Sequence, residues 1–437
     1  MRRYDFVVLG SGTTGLEIAS RAAAQGHSVA VFESHKLGGR TFLEEEVPFR
    51  ALREVARMAS AAACGATRAA VRDTDWWEMG RRHVAQVVAH EASLRQGSVL
   101  RAQGIDVIEA SAHFISENQI EAGGRSFMFH RAVIATGTEA VVPNIPGLAG
   151  CSWLLPSSLL AKTDLPEHLL VLGDGSAALE LAQLFARFGS RVTVVTRAAN
   201  ILSDWDPEIR TRLRGHLRRD GIEFSENSPP FRVTHYAEGV AISMATGSLM
   251  QATHLVVAEG RASRLDALDL RAGGIDKDEK GIRLDGQGRS VTNRRVFAAG
   301  STPGTWSEQA LLALRHPLLP TRWFETIPQG SFQQLKRQSV RVDPELVRLE
   351  LNFSSSDASG GKQLRLEGLP LDAVPSRGSF LAKLSGDQQG LLQSLILLRE
   401  GAIQDGDLVQ SLATAKHRPT ISEVSALLQL RAPLQTT

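Results

Sequence analysis

Phe6-Val7-Val8-Leu9-Gly10-Ser11-Gly12-Thr13-Thr14-Gly15 is the stretch that decides the fold. Four consecutive apolar residues read as a strand, and they run directly into a Gly-x-Gly-x-x-Gly turn. Leu16 to Gln25 follows with helical spacing, Gly26 stands where a helix C-cap belongs, and Ser28 to Phe32 forms a second strand that ends in Glu33. Strand, glycine turn, helix and strand make one parallel crossover unit. Its glycines let the backbone approach a pyrophosphate, and the helix N-terminus offers amide hydrogens and the positive end of the helix dipole. Glu33 lies 23 residues beyond Gly10 and can accept from both hydroxyls of an adenosine ribose.

The same unit recurs 163 residues later. Leu169 to Leu172 leads into Gly173-Asp174-Gly175-Ser176-Ala177-Ala178, a helix runs to Phe188, Gly189 caps it, and Arg191 to Val195 is the next strand. Two positions differ. Ala178 replaces the third glycine, and at the offset of the acid stand Thr196 and then Arg197. A guanidinium without a carboxylate suits a 2′-phosphate, so NADPH is favoured over NADH; a solvated arginine at a strand end is the alternative. Alternating strands and helices imply parallel sheets, and the fold class is α/β with two Rossmann-like dinucleotide-binding domains.

The remaining chain sets limits on function. With 437 residues, 43% of them hydrophobic and 22% charged, the chain is long enough for about three domains and is neither fibrous nor disordered. A net charge of +2 gives no reason to expect nucleic acid or an anionic membrane surface, which leaves a small molecule or another protein as partner. Cys64 and Cys151 are too few for a disulfide scaffold or a four-thiolate zinc site, and the scattered histidines suggest no metal. No stretch reaches the roughly 18 apolar residues of a membrane span, so a cytoplasmic protein without membrane insertion is expected. Ala51 to about Gln103 reads as helical, divided by Gly65, Gly80 and Gly97. Beyond Arg322 the pattern changes to Gly, Ser and Pro clusters among short β-like runs from Gln329 to Ala373. Leu391 to Leu430 then reads as a strand followed by helices, which together suggest an α+β domain.

In this order the elements resemble the class I pyridine nucleotide–disulfide oxidoreductases, the family of dihydrolipoamide dehydrogenase, glutathione reductase and mercuric reductase. Beside the two fingerprints, Ala135-Thr136-Gly137 resembles the turn at the end of the FAD half, and Glu259-Gly260-Arg261 the turn that closes the NAD(P) domain. Val296 to Gly300 resembles the strand that returns to the flavin, and Asp343-Pro344-Glu345 and Pro419-Thr420-Ile421-Ser422-Glu423 resemble two markers of the interface domain. The resemblance implies an FAD-binding domain over 1–150 and 266–328, an NAD(P)-binding domain over 151–265, and a C-terminal α+β interface domain over 329–437 that closes a homodimer. For FAD it points to Gly10, Gly12, Thr14, Gly15, Glu33, Gly39, Arg40, Thr136, Gly137, Gly300 and Ser301. For the nicotinamide nucleotide it points to Gly173, Gly175, Ala178, Arg197 and Gly260. A basic residue and a glutamate that form an ion pair near flavin N5 in the family would here be Arg50 and Glu180.

The departures bear on activity. Family members carry two cysteines five apart after Gly-Gly-Thr, whereas this chain reads Gly38-Gly39-Arg40-Thr41-Phe42-Leu43-Glu44-Glu45-Glu46-Val47-Pro48-Phe49-Arg50. Thr41 and Glu46 occupy the sulfur positions, and neither can exchange electrons with a disulfide. The family's histidine before Pro-Thr is Arg418, His417 is one position off, and its orienting partner Glu423 is retained. Ser301 replaces the aspartate that binds the flavin ribityl chain, and Ser176 replaces a bulky residue that gates the nicotinamide pocket. Glu46 of one subunit is expected to face Arg418 of the other; the alternative is a solvated acidic turn, with Arg418 paired to its own Glu423. Cys64 and Cys151 are expected to be inert small hydrophobes. The retained features suggest an FAD-dependent NAD(P)H oxidoreductase that passes electrons to a diffusible small-molecule electron acceptor. The losses suggest instead an inactive FAD- and NADPH-binding homologue, and a transhydrogenase is a lesser alternative.

Overall fold

The computed structural model describes residues 2–63, 75–160, 164–236, 239–279, 281–285, 288–302, 335–351, 363–368, 377–386, 392–401, 422 and 424. These fall into two units. Described residues of the first lie within Met1–Ile201 and Asp220–Trp306, and those of the second within Leu202–Arg219 and Pro320–Thr437.

The first unit opens with β1 (Arg2–Leu9), α1 (Thr13–Ala24) and β2 (Val29–Phe32), followed by α2 (Gly39–Leu43), α3 (Glu46–Ala62), α4 (Trp76–Ser93) and α5 (Gly97–Ala102). β3 (Ile105–Ile108) and the antiparallel meander β4 (Ala112–Ser116), β5 (Gln119–Ala122) and β6 (Arg125–Ile134) complete this half. β1 is buried on both faces, as its unbroken apolar run requires. Val7 and Leu9 pack with Phe114, Ile120 and Ile134 on one side, and Phe6 and Val8 pack with Leu16, Ile18 and Ala22 of α1 on the other. Each fully buried side chain of this kind contributes about 1.5–3 kcal/mol relative to exposure. The sequence places Gly80 at a break between helices, but it lies inside α4. A Cβ there would come within 2.5 Å of Leu52 Cδ1, so the glycine lets α4 press against α3.

After β7 (Thr138–Ala140) and β8 (Trp153–Leu154), α6 (Pro156–Leu160) leads into the second nucleotide unit of β9 (His168–Leu172), α7 (Ser176–Arg187) and β10 (Arg191–Val195). α8 (Pro207–Arg219) and β11 (Ile222–Ser225) follow, then the antiparallel β12 (Pro230–Tyr236), β13 (Gly239–Met244) and β14 (Leu249–Ala252), then β15 (His254–Val257). β16 (Arg261–Ser263) pairs with β7, a short hairpin joins β17 (Lys277–Asp278) to β18 (Gly281–Ile282), and β19 (Val296–Ala298) rejoins the first sheet beside β6. Among the described residues the first sheet has seven strands, with β3-β2-β1-β6-β5-β4 in order and β19 also on β6. The second has the parallel order β11-β10-β9-β15-β8. Trp77 of α4 packs on Phe185 and Phe188 at the end of α7.

The second unit is built on an antiparallel five-stranded sheet of β20 (Leu335–Val340), β21 (Glu345–Leu351), β22 (Gln363–Gly368), β23 (Arg377–Gly386) and β24 (Leu392–Gly401), in the order β20-β21-β24-β23-β22. α8 groups with this sheet rather than with the strands on either side of it in sequence. Ion pairs explain the grouping. Arg348 Nη2 donates to Asp204 at 2.8 Å and its guanidinium lies 4.5 Å from the Trp205 ring centre, while Lys383 Nζ reaches Asp206 at 2.8 Å and Glu208 at 2.9 Å. Asp206 also caps α8, accepting the Glu208 and Ile209 amides at 3.0 and 3.2 Å with Pro207 at the first helical position.

These contacts set a pH response. Burial pushes the Asp206 carboxyl up, but the hydrogen bond from Lys383 and the two capping amides outweigh it and hold it below the ordinary carboxylate value. Burial pulls Lys383 down, and its bonds to Asp206 and Glu208 outweigh that and raise it. A carboxyl lowered in the folded state stabilises above its unfolded value and loses that contribution as pH falls through its folded one; the raised ammonium stabilises below its unfolded value and loses that contribution as pH rises through its folded one. Lys383→Met is therefore expected to cost about 1–2 kcal/mol at neutral pH. The difference from wild type should shrink as pH falls below 3.8, the ordinary Asp value. Urea unfolding at pH 7 and pH 3 checks it, and an equal difference at both would contradict it.

Candidate functional site

The carboxyl ends of β1, β2, β6 and β19 meet at one edge of the first sheet, where Leu9 is level with Phe32 and Ile134, and Ile134 with Ala298. Gly10 turns the chain there at φ +108°, a conformation side chains rarely adopt. A Cβ on Gly10 would fall on the Ala135 carbonyl, and one on Gly15 on the Gly10 carbonyl, whereas one on Gly12 would meet nothing within 4 Å. The turn is thus packed from behind and open in front. No side chain caps α1, so its first amides are left for a ligand. Glu33 Oε2 accepts the Ser11 amide at 3.0 Å and the Ser11 hydroxyl at 2.6 Å, and Oε1 accepts the His35 amide at 2.9 Å. A carboxylate has about four acceptor sites, so capacity for a ribose hydroxyl remains.

Buried Ser11 also ties the second glycine pair to the first turn, because its hydroxyl accepts the Gly38 amide at 3.2 Å. A Cβ on Gly39 would stand 2.8 Å from Gly12 Cα. Across the sheet edge, the Thr136 hydroxyl donates to the Arg264 carbonyl at 2.7 Å, and the Gly137 amide donates to Thr302 Oγ1 at 2.9 Å. A Cβ on Gly300 would lie 3.1 Å from Thr14 Oγ1, and one on Gly137 would lie 3.8 Å from Ser301 Oγ. The structure therefore brings Gly10, Gly12, Thr14, Gly15, Glu33, Gly39, Thr136, Gly137, Gly300 and Ser301 to the same edge. Thr302 is an addition that the sequence reading lacks; its only signal is a hydroxyl next to Ser301. Open amides, a glycine floor and a fixed carboxylate suit the ADP half of FAD.

The second sheet repeats the design. Val195, Leu172 and Val257 are level, Gly173 packs against the Ala258 carbonyl, buried Ala178 replaces the third glycine, and Gly175 opens onto free space at the start of α7. Thr196 turns inward and its hydroxyl accepts the Ala198 amide at 3.0 Å. Arg197 turns outward to Glu259, with Nη2 2.6 Å from Oε2. Gly260 beyond it is exposed. Residues 4–316 match the family described as Pyridine nucleotide-disulphide oxidoreductase. The chain belongs to that family. The mercuric reductase of Acidithiobacillus ferrooxidans is 30% identical over 97% of this chain and 79% of that protein. That of Bacillus cereus is 26% identical over 85% of this chain, which spans 60% of that relative's length. The fold matches the HOCl-induced flavoprotein disulfide reductase RclA from Escherichia coli with a TM-score of 0.79, over 98% of this chain and all of that one, at 23% identity.

At residues 40–46, the segment expected to take the place of the family's two sulfurs, this chain builds an ionic knot. Glu45 Oε1 accepts from Arg261 Nη1 at 2.7 Å and lies 3.9 Å from Arg40 Nη1. Both arginines also donate to the Thr138 carbonyl, at 2.8 and 3.0 Å, and Arg261 Nε donates to the Thr138 hydroxyl at 2.7 Å. Phe42 of α2 is covered by the Arg95 guanidinium, 3.4 Å from its ring centre. Arg40 is thus turned to Thr138, Arg261 proves to be more than a turn marker, and Glu45 rather than Glu46 takes the arginines. Glu46 stands half-buried in the first turn of α3, where the helix dipole favours a carboxylate. Arg261→Leu leaves half-buried Glu45 and Thr138 with fewer donors and is expected to cost about 1–3 kcal/mol. Glu45→Gln combined with it should cost less than the sum of the two in urea unfolding; strict additivity would break the knot as described.

One expected pair is corrected. Glu180 of α7 meets Arg53 at 3.4 Å, and Arg50 is exposed. The buried stripe of α3 runs through Val47, Pro48, Ala51, Leu52, Val55, Ala56 and Ala59, and Arg50 and Arg53 both lie on the other side of the helix, one turn apart. Arg53, one turn later, is the residue that faces α7. Arg418, Glu423 and Cys64 lie outside the described residues. Cys151 is a free thiol, partly buried against the apolar cluster of the second sheet. Among the described residues no helix is long and apolar enough to cross a membrane, and no three His, Cys, Asp or Glu are grouped to hold a metal.

Proposed function

We propose that this protein is an FAD-dependent NAD(P)H oxidoreductase that works without a redox disulfide and delivers electrons from NADPH to a diffusible small-molecule acceptor, in the manner of a diaphorase or quinone reductase. The observation that carries the reading is the segment over residues 40–46, which has no sulfur and is tied by Glu45 to Arg261 and Arg40 instead. FAD held at this edge would supply the redox chemistry, hydride acceptance from the nicotinamide and electron delivery to the acceptor.

The protein's own residues hold and orient. Glu33 would take the adenosine ribose, the free amides at the start of α1 the pyrophosphate, and Arg197 the 2′-phosphate that distinguishes NADPH. The ionic knot ties down the segment over residues 40–46, and because that segment has no thiol a disulfide has no nucleophile to meet there. The family supports a cytoplasmic homodimer. Ser301 and Arg418 favour a second reading, an inactive FAD- and NADPH-binding homologue.

Steady-state NADPH oxidation by the purified yellow protein separates them. Turnover is expected with a quinone or dye acceptor, unaffected by iodoacetamide, and none with glutathione disulfide. A flavin-loaded protein that shows no turnover with any acceptor supports the inactive homologue, and disulfide-dependent turnover contradicts both.

A further inference from the structure

The second nucleotide crevice carries a carboxylate that the fingerprint does not account for. β10 and β15 flank β9 in a parallel sheet, with Val195, Leu172 and Val257 level, so Arg197 and Glu259 stand at the same offset beyond the sheet edge on either side of the Gly173 turn. Strands two apart are separated by about 10 Å, so the 2.6 Å Nη2–Oε2 contact requires both side chains to lie across the end of β9. That end, where the chain order reverses between β9 and β15, is where a dinucleotide crosses a doubly wound sheet. The two partners are not equivalent. The Glu259 side chain is 13% exposed and the Arg197 side chain 53% exposed, so the carboxylate is the anchored member and the guanidinium the one with room to swing.

We propose that Glu259 is a specificity-determining residue that competes with the 2′-phosphate of NADPH for Arg197. This rests on the reading of Arg197 as the phosphate contact. A nucleotide with a 2′-phosphate takes the guanidinium from Glu259 and offers it the fork geometry of a charge-assisted bond. A nucleotide without that phosphate has no use for Arg197 and is indifferent to the competition. Glu259 therefore sets how far NADPH is preferred, and the preference of the wild type is smaller than Arg197 alone would give.

Calorimetric titration of the FAD-saturated full chain with 2′,5′-ADP and with 5′-AMP tests this without turnover. Glu259→Gln is expected to tighten 2′,5′-ADP roughly two- to fivefold, the upper part of the range of a partly exposed ion pair, and to leave 5′-AMP unchanged. Glu259→Ala should act alike, and thermal unfolding of each variant confirms that it is folded. In the Arg197→Ala background the gain should vanish. If Arg197→Ala alone leaves 2′,5′-ADP binding unchanged, the phosphate reading fails and the proposal with it. If Arg197→Ala weakens 2′,5′-ADP while both Glu259 variants leave it unchanged, or tighten 5′-AMP equally, the phosphate reading stands and the competition is overturned.

Discussion

Gly12→Ala is expected to fold like the wild type and to lose its flavin, and Gly15→Ala to lose stability first. The two glycines belong to one turn and face opposite ways. Gly12 sits at φ −67° and ψ 179°, which alanine adopts freely, and its Cβ would meet nothing within 4 Å. The protein itself gives no reason for that open space. A backbone that must approach a pyrophosphate closely does, since the added methyl would stand where the phosphate comes in. Gly15 has no such freedom, because its Cβ would fall on the Gly10 carbonyl and push α1 off β1. The expected cost is about 1–3 kcal/mol, typical of forcing a methyl into packed backbone. For Gly12→Ala, apo stability should stay within about 0.5 kcal/mol of wild type, while FAD affinity falls at least roughly tenfold, about 1.4 kcal/mol. Flavin-to-protein absorbance and urea unfolding of the apoproteins read both effects. Full flavin retention by Gly12→Ala, or an apo Gly15→Ala as stable as wild type, would contradict the cradle.

Local signals were legible where one short stretch carries its own physics. Phe6 to Leu9, the glycines, Gly26 and Glu33 each act within about 30 residues, and the same holds from His168 to Val195, so strand, turn, helix and strand emerged with the sheet edge on the right side. The Glu45–Arg261 contact joins residues 216 apart, and neither periodicity nor spacing encodes which carboxylate of Glu44-Glu45-Glu46 turns inward. Arg50 against Arg53 is decided by position along α3, one turn of helix that an alignment of motifs does not measure. Gly80 was read as a breaker because a glycine in a helix is locally unfavourable, and close packing on Leu52 outweighs that. α8 was read with its neighbours in sequence, and the charges of Asp204, Asp206 and Glu208 draw it to Arg348 and Lys383 on the second unit.

Anaerobic titration of the purified flavoprotein with NADPH is the most direct test that the protein works without a redox disulfide. A family member with both sulfurs stores two electrons on the flavin and two on the thiols, and so takes up about two equivalents of NADPH per FAD. Thr41 and Glu46 can store none. Flavin absorbance is therefore expected to bleach fully at about one equivalent of NADPH per FAD, with the same endpoint after iodoacetamide treatment. An endpoint near two equivalents, or a flavin that NADPH does not bleach, would contradict it.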